Sequence, residues 1–467
     1  MPSELALLLC TLFVFCLLRY DRRQSTKVSG AVWVPIIWVF SIATKPLANW
    51  FGVGGEDVEA GSPLDRIFVS GLLCFGLLIL TRRKLNWRAV IKENTWLIWL
   101  IAYMLISILW SDIPFISLKR WVRELTAVIM ALVVLTEPAP RQAMESFLRR
   151  TVYILVPFSI LLIKYFPQYG VEYNRWSGEV MWIGVTLQKN GLGRLCLISA
   201  VFLVWTLTKR WKARDIHANK FQTAGEVILL ILTLWLLKGP SEWAASASGF
   251  VALVIGLAAF GGLLWLKKHR LYLHPSLLIG ITIIIMAVGI ITPFSQGSAV
   301  ADFTSLVGRD ATLTGRTDIW VGLVPLAERN PILGCGFGGI WTSRTEAEAM
   351  VNEAHNGYLE VLLQLGLVGL VITSMFLLSF GRSAARALTH DYDWASLCIC
   401  YLLVAVVHNI GESSFDSFTR QLMAILLFLA VTLPAVTRRA HTKSLMAQPT
   451  ASFRRPLRLS ELPQYER

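Results

Sequence analysis

The sequence predicts an all-α polytopic membrane protein of about 12–13 transmembrane helices with a large periplasmic loop that contains short helices. The chain of 467 residues is 55% hydrophobic and has a mean hydropathy of +0.57. Apolar runs of about 17 to 25 residues recur along it, and each is long enough to cross a hydrocarbon core. These runs are continuously apolar, whereas a membrane β-barrel would show alternating strands of about ten residues.

The first apolar run, Leu5 to Leu18, is followed by arginines, so we expect no cleavable signal peptide and an N-terminus outside. The predicted spans are residues 4–19, 31–49, 66–81, 95–111, 120–136, 150–166, 191–208, 223–238, 244–266, 276–293, 356–380, 394–411 and 420–436. Every second connection between them is rich in lysine and arginine, which is typical of cytoplasmic loops. The formal charge of +14 is therefore explained by topology, and we expect no nucleic acid partner.

The chain divides into four predicted segments. These are N-terminal transmembrane helices (1–293), the large periplasmic loop (294–354), C-terminal transmembrane helices (355–436) and a disordered cytoplasmic tail (437–467). The tail is basic and has no hydrophobic period. Polar and charged residues collect in the large loop, and such a loop on a membrane protein favours chemistry or binding.

Within the loop, residues 316–329 predict an amphipathic helix at the outer membrane surface, with Thr314 as its N-cap. Ile319, Trp320 and Leu323 lie on its apolar face. Arg316 begins the helix and presents a permanently charged, bidentate donor. The alternative role for Arg316 is an interfacial anchor that reaches lipid phosphate.

A second group of candidates opens the next span. Asn356 and Glu360 are four residues apart and share one helix face. His355 precedes them and could be a base, a hydrogen-bond donor or part of a cap. Since histidine titrates near neutral pH, His355 suits proton transfer, and Glu360 and Glu412 are alternative bases.

The loop before the span at 191–208 contains Arg175, Lys189 and Asn190. A cation and an amide at a helix N-terminus favour anion binding, whereas the alternative is an ordinary N-cap by Asn190. Residues 334–339 satisfy GxGxxG, but no strand precedes them, so they predict a flexible loop whose backbone can approach a ligand or another helix closely. The sequence shows no HExxH, Cys/His cluster or Walker motif, and we expect no metal and no cofactor.

Three motifs occur in a fixed order in and after the large loop. They are Thr314-Gly315-Arg316-Thr317-Asp318-Ile319-Trp320, Asn330-Pro331-Ile332-Leu333-Gly334-Cys335-Gly336 and His355-Asn356-Gly357-Tyr358-Leu359-Glu360. In this order and position they resemble the O-antigen ligase / Wzy-type polymerase superfamily. Residues 184–190 and 408–413 also resemble segments of that superfamily, and they are most similar to its exopolysaccharide polymerase branch.

The resemblance implies a metal-independent, inverting glycosyltransferase in the bacterial inner membrane, with its active site on the periplasmic face and its C-terminus in the cytoplasm. The donor would be an oligosaccharide on undecaprenyl diphosphate. By motif position Arg316 would bind the diphosphate and His355 would act near the acceptor, with Glu360 as a further catalytic candidate. Arg175, Lys189, Asn190, Asn356 and Glu412 would bind diphosphate or glycan.

Three functions stay open at this level. The first is polymerisation of exopolysaccharide repeat units, with a chain-length-regulating membrane protein as a partner. The second is an O-antigen ligase that transfers glycan to lipid A–core. The third is a lipid-linked-sugar flippase, which would place charges in the middle of its spans.

Overall fold

The computed structural model describes residues 1–52, 62–83, 85–174, 178–212, 220–241, 246–295, 316–342 and 351–433. The first helices are α1 (Ser3–Gln24), α2 (Trp33–Ala43), α3 (Leu47–Phe51), α4 (Pro63–Thr81), α5 (Trp87–Glu93), α6 (Thr95–Ser107), α7 (Pro114–Leu135), α8 (Pro140–Tyr165) and α9 (Pro167–Gly170). A two-stranded antiparallel hairpin follows, with β1 (Val171–Tyr173) and β2 (Val180–Trp182). The remaining helices are α10 (Lys189–Lys212), α11 (Lys220–Lys238), α12 (Ala247–Lys268), α13 (Pro275–Phe294), α14 (Arg316–Arg329), α15 (Gly357–Ala387), α16 (Tyr392–His408) and α17 (Gln421–Ala430). Short 3-10 turns occupy Gly30–Val32 and Ile108–Trp110.

The described part of the chain contains 8 helices long and apolar enough to cross a membrane, or up to 9 if α5 and α6 form one span bent by 94°. Three shorter apolar helices lie at Gly30–Ala43, Tyr392–His408 and Gln421–Ala430. Each predicted span overlaps one of these helices or α7. The prediction of an all-α polytopic membrane protein is confirmed. The predicted four-segment division stays a prediction, and the tail beyond residue 433 lies outside the described residues.

The helix boundaries follow from local chemistry. Pro63, Pro114, Pro140 and Pro275 each begin a long helix, where the missing N–H of proline costs no hydrogen bond. Asn356 caps α15 by accepting from two backbone N–H groups. These signals are local, but the predicted spans did not use all of them: α7 and α8 begin at Pro114 and Pro140, ahead of the predicted starts at 120 and 150.

Some charged residues in the basic connections between predicted spans are buried inside the bundle. Arg149 and Arg150 belong to α8, and their guanidiniums lie 2.7 Å and 2.6 Å from the carboxylate of Asp21 in α1. All three side chains are buried. A buried charge needs a partner, so these contacts join α1 to α8 at the basic end of the bundle.

Helix α15 is not the continuous span that the sequence predicts. Gly366 has φ 64° and ψ −167°, which interrupts the helix. The N–H groups of Leu367 and Val368 donate to the carbonyls of Pro331 and Ile332, at 2.8 Å and 3.2 Å. The glycine-rich segment therefore approaches another backbone closely, as the sequence predicts. This pairing brings the chain that follows α14 against the interrupted helix.

Helices α10 and α16 are largely enclosed by the rest of the bundle. Every residue from Ala395 to His408 in α16 is buried, and so is most of α10. Gly256 of α12 faces Val404 of α16, and a Cβ at this glycine would come within 2.5 Å of the valine. Small residues at such crossings let membrane helices pack tightly. The rigid end of α16 carries the segment 409–420, which forms one wall of the site.

Candidate functional site

Three segments meet at one end of the bundle: the start of α14, residues 353–356 before α15, and residues 409–420 between α16 and α17. Arg316 Nη2 donates to Glu412 Oε1 at 2.6 Å. Glu412 is fully buried, and the Arg316 side chain is 15% exposed. A guanidinium held in this way is fixed in position and still reaches solvent, which suits the binding of an anion.

His355 lies between two carboxylates. Its Nδ1 is 3.3 Å from Glu353 Oε1 and 3.9 Å from Glu412 Oε2, without hydrogen-bond geometry to either. The residue has φ 49°, a left-handed conformation that is uncommon outside glycine. Such strain occurs where the surrounding structure imposes it, often at functional sites. Here the turn places the imidazole of His355, which is 23% exposed, directly before α15.

The electrostatics of Glu412 follow from its neighbours. Burial alone would raise the pKa of this carboxyl group, but His355 and the guanidiniums of Arg316 and Arg194 lower it to about 2. Glu412 is therefore ionised at neutral pH and is a weak proton acceptor. Its Oε2 has no hydrogen-bond partner among the described residues and faces the imidazole. The carboxylate can stabilise a cation formed at His355.

A second ion pair lies beside the first. Arg420 Nη1 is 3.3 Å from Glu353 Oε2, and its Nε is 3.7 Å from Asp416 Oδ1. Asp416 and Glu353 raise the pKa of Arg420, although burial lowers it. Gln188 Nε2 also donates to Glu353, at 3.4 Å. The site thus holds three carboxylates, of which Glu412 pairs with Arg316, and Glu353 and Asp416 share Arg420.

The sequence analysis missed two arginines of this site. Arg194 is buried in α10 and donates to the carbonyl of Ser413 at 3.2 Å. A charge inside the predicted span 191–208 was the signal for it, since charges within spans are rare and functional. Arg420 opened the last predicted span, and its spacing of four residues from Asp416 was a weaker signal.

Asn356 and Glu360 hold the chain on either side of His355. Asn356 Nδ2 donates to the carbonyls of Gly289 and Ile410, both at 3.0 Å, while its Oδ1 caps α15. Glu360 is fully buried and accepts hydrogen bonds from Ala354 N at 2.8 Å, from Gln364 Nε2 at 3.0 Å and from the indole of Trp341. These contacts occupy both side chains. They support a positioning role, although the sequence analysis proposed substrate binding for Asn356 and catalysis for Glu360.

The amphipathic helix in the loop is confirmed as α14. Trp320 and Leu323 are fully buried, and Trp320 Nε1 donates to the carbonyl of Ala354 at 2.9 Å. This contact places the helix against the residue before His355. The predicted N-cap Thr314 lies outside the described residues.

Lys189 and Asn190 begin α10, directly after Gln188, and are half-buried. The Gln188 contact to Glu353 places this helix start at the edge of the site. Arg175 lies between β1 and β2 in the sequence, outside the described residues. Its predicted role as a ligand for diphosphate or glycan stays a prediction.

Glu353, His355 and Glu412 offer ligand atoms that all lie within 4.8 Å of one another, a spacing that could hold a metal ion. Both carboxylates already pair with arginines, Arg316 and Arg420. Two fixed guanidiniums next to the cluster oppose a further cation. The arrangement fits proton transfer and anion binding better than metal binding.

The fold and this cluster together define a polytopic membrane protein with an arginine–glutamate–histidine site at one end of its spans. Residues 242–374 match the model of a family described as O-Antigen ligase. This segment includes Arg316, His355 and Glu360 but not Glu412 or Arg420. The chain is also 23% identical over 334 residues to the exopolysaccharide production protein ExoQ of Rhizobium meliloti (strain 1021), covering 67% of this chain and 71% of that protein. The resemblance to the O-antigen ligase / Wzy-type superfamily that the motifs predict is confirmed.

Proposed function

We propose that this protein is a membrane glycosyltransferase that polymerises exopolysaccharide repeat units. The donor is an oligosaccharide on undecaprenyl diphosphate, and the acceptor is a sugar hydroxyl of a second lipid-linked unit. The reaction takes place at the periplasmic face of the bacterial inner membrane, and the basic ends of the helices face the cytoplasm. The O-antigen ligase family match and the similarity to ExoQ support this class of activity. A chain-length-regulating membrane protein is the partner that we expect for a polymerase.

The observation that carries the proposal is the contact of one buried carboxylate, Glu412, with both Arg316 and His355. Transfer of the glycan breaks the bond between the anomeric carbon and the diphosphate oxygen, and the electron pair stays on that oxygen. Arg316 stabilises the negative charge that grows there. The diphosphate takes the place of Glu412 at the guanidinium, because both are oxyanions that suit the same donor.

Once the diphosphate has replaced it at Arg316, the carboxylate of Glu412 is free to stabilise a positive charge on His355. As the acceptor oxygen bonds to the anomeric carbon, its proton moves to the imidazole, and an imidazolium forms. Glu412 then stabilises that cation, and Glu353 contributes from the other side. A single displacement of this kind inverts the anomeric configuration. Glu412 serves as a positioning residue rather than as the base, because its pKa of about 2 leaves it weakly basic.

Glu353 and Arg420 form the second part of the site. Their pairing gives the cluster one more guanidinium, 30% exposed, at its border with solvent. Glu124 of α7 accepts hydrogen bonds from Ser417 Oγ at 2.7 Å and from Phe418 N at 2.6 Å, and these hold the segment that carries Arg420. We assign Arg420 to a second contact with the diphosphate or with an acidic sugar.

The description of the matching family favours a second candidate, an O-antigen ligase that transfers glycan to lipid A–core. The chemistry at Arg316 and His355 would be the same, and only the acceptor would differ. A flippase fits less well, since Arg316, His355 and Glu412 gather where helices begin or end rather than in the middle of the spans.

The experiment that tests the proposal is transfer by the purified protein in lipid vesicles with a chelator present. The substrates are a lipid-linked repeat unit alone, and then the same unit with lipid A–core. Longer lipid-linked chains from the repeat unit alone establish a polymerase. Product that requires lipid A–core establishes a ligase, and unaltered donor on the opposite leaflet establishes a flippase.

Variants connect the activity to the site. We expect Arg316→Ala and His355→Ala each to lower turnover at least about 100-fold, in line with the loss of one charge-stabilising or proton-transfer group. The matched control is Arg329→Ala, which removes an exposed arginine from the other end of the same helix. Equal activity of Arg316→Ala and Arg329→Ala would remove Arg316 from the mechanism.

A further inference from the structure

A groove of about 460 Å³ lies between α13 and α15 at the end of the bundle opposite the candidate site. Pro275, Ile279 and Ile283 line its apolar part. Arg382 and Arg386 line its other wall near the end of α15. Its volume falls in the range of small-molecule sites, about 300–1,000 Å³.

The packing of the two helices explains the groove. At the loop end they touch: Gly289 of α13 lies so near Tyr358 of α15 that a Cβ would come within 2.2 Å of the ring. At the other end Gly280 faces open space, with no atom within 4 Å of a Cβ built there. The missing side chain of Gly280 therefore leaves room in the groove. Ile283 is 48% exposed, so the groove opens toward lipid.

Arg382 and Arg386 are four residues apart and share one face of α15. Both are exposed, and within the described part of the chain neither forms an ion pair with a carboxylate. The end of α12 and the turn before α13 add Lys268 and Arg270 to the same end of the bundle, whereas Lys267 there pairs with Asp393. The groove thus joins an apolar slot to an unbalanced positive charge.

We propose that this groove binds an anionic glycerophospholipid. The phosphate lies between the guanidiniums of Arg382 and Arg386, and an acyl chain lies along Ile279, Gly280 and Ile283. Basic pockets between transmembrane helices bind anionic lipid headgroups in this way. The proposal does not depend on the proposed glycosyltransfer, because the groove and the site occupy opposite ends of the bundle.

A simpler account treats both arginines as interfacial anchors that reach any lipid phosphate. The two accounts differ in two measurable respects. Anchoring arginines attract anionic lipid by charge alone, so other exposed arginines at the same basic end should contribute equally. They also do not depend on the shape of the groove near Gly280.

The first experiment is native mass spectrometry of the purified full chain with phosphatidylglycerol or phosphatidylcholine of identical acyl chains. We expect the wild-type protein to retain one phosphatidylglycerol in preference to phosphatidylcholine. The double variant Arg382→Gln with Arg386→Gln should lower that affinity about 30-fold, from about 1 kcal/mol per arginine. The control is Arg19→Gln with Arg22→Gln, which removes two exposed arginines from α1 at the same basic end.

The second experiment fills the groove and keeps the arginines. Gly280→Leu places a side chain in the open space and suits a helix better than glycine does. We expect this variant to lose phosphatidylglycerol as the arginine variant does. Gly262→Leu is its control, because Gly262 in α12 also faces open space. The proposal is overturned by equal binding of the two lipids, by equal loss in a variant and its control, or by undiminished binding in either groove variant.

Discussion

Substitution of Glu412 by glutamine tests the centre of the site. Glutamine has nearly the same shape and keeps an oxygen that can accept from Arg316 Nη2, now 2.6 Å from Glu412 Oε1. The substitution removes the negative charge that faces Nδ1 of His355 at 3.9 Å. We expect the variant to fold and to lose turnover.

The size of the loss follows from the distance. Two unit charges about 4 Å apart interact by about 4 kcal/mol at an effective dielectric constant of about 20. Arg316 offsets part of this attraction, because its positive charge is also close to Glu412. A net loss of about 2 to 3 kcal/mol corresponds to a turnover about 30- to 160-fold lower.

The assay is a pH–rate profile of the reconstituted protein with lipid-linked repeat units, with turnover and KM measured separately. Without its counter-charge an imidazolium forms less readily, so the acid limb of the Glu412→Gln profile should move to lower pH. The control is Glu328→Gln, which removes an exposed carboxylate from α14. Undiminished turnover refutes a role for Glu412 in proton transfer. A lower turnover with an unmoved acid limb refutes its action through His355.

Four further predictions concern the site and its support. Arg316→Lys should lower turnover at least about 10-fold relative to the wild type, because an ammonium cannot form the two parallel hydrogen bonds of a guanidinium. Initial rates of the wild type, Arg316→Lys and Arg316→Ala, measured side by side, test this. Since the pKa of Glu412 is lowered from 4.5 to about 2, its ion pair stabilises the fold above pH 4.5, and this contribution is lost as the pH falls toward 2. Melting curves from pH 6 to 3 should therefore show a larger fall in Tm for the wild type than for Glu412→Gln, and parallel curves would contradict the assignment. Glu360→Gln should lower the stability by about 1 to 3 kcal/mol, because an amide group then faces N–H donors, and a thermal melt in detergent measures the loss. Gly366→Ala should cost about 3 kcal/mol or more in the same melt, because its backbone conformation suits only glycine, whereas Gly322→Ala in α14 faces open space and should not destabilise the protein.

The sequence allowed the membrane class, the approximate position of every span and the amphipathic helix α14 to be predicted. Hydropathy over about 20 residues and helical periodicity are local properties, so they can be read without the fold. Arg316 and His355 were proposed as site residues because they lie in short motifs with a fixed order. The break in α15 was not found, since a single glycine in an apolar run is compatible with a continuous helix.

The partners of these residues could not be read from the sequence. Arg316 and Glu412 are 96 residues apart, and Arg194 and Ser413 are 219 apart. Asn356 looked available for substrate and Glu360 for catalysis, but the folded chain occupies their hydrogen bonds. Such contacts depend on how whole helices pack, and no local pattern encodes that packing.

By itself, the sequence determined that the protein spans a membrane many times and pointed to Arg316 and His355 as candidate site residues in and just after one long polar segment. Only the tertiary structure decided that Glu412 is the buried carboxylate between Arg316 and His355, and that Arg420 and Glu353 form a second pair beside it. The physical reason is that apolar runs and short motifs act within one helix or loop. A buried charge cluster exists only where several helix ends meet and exclude water.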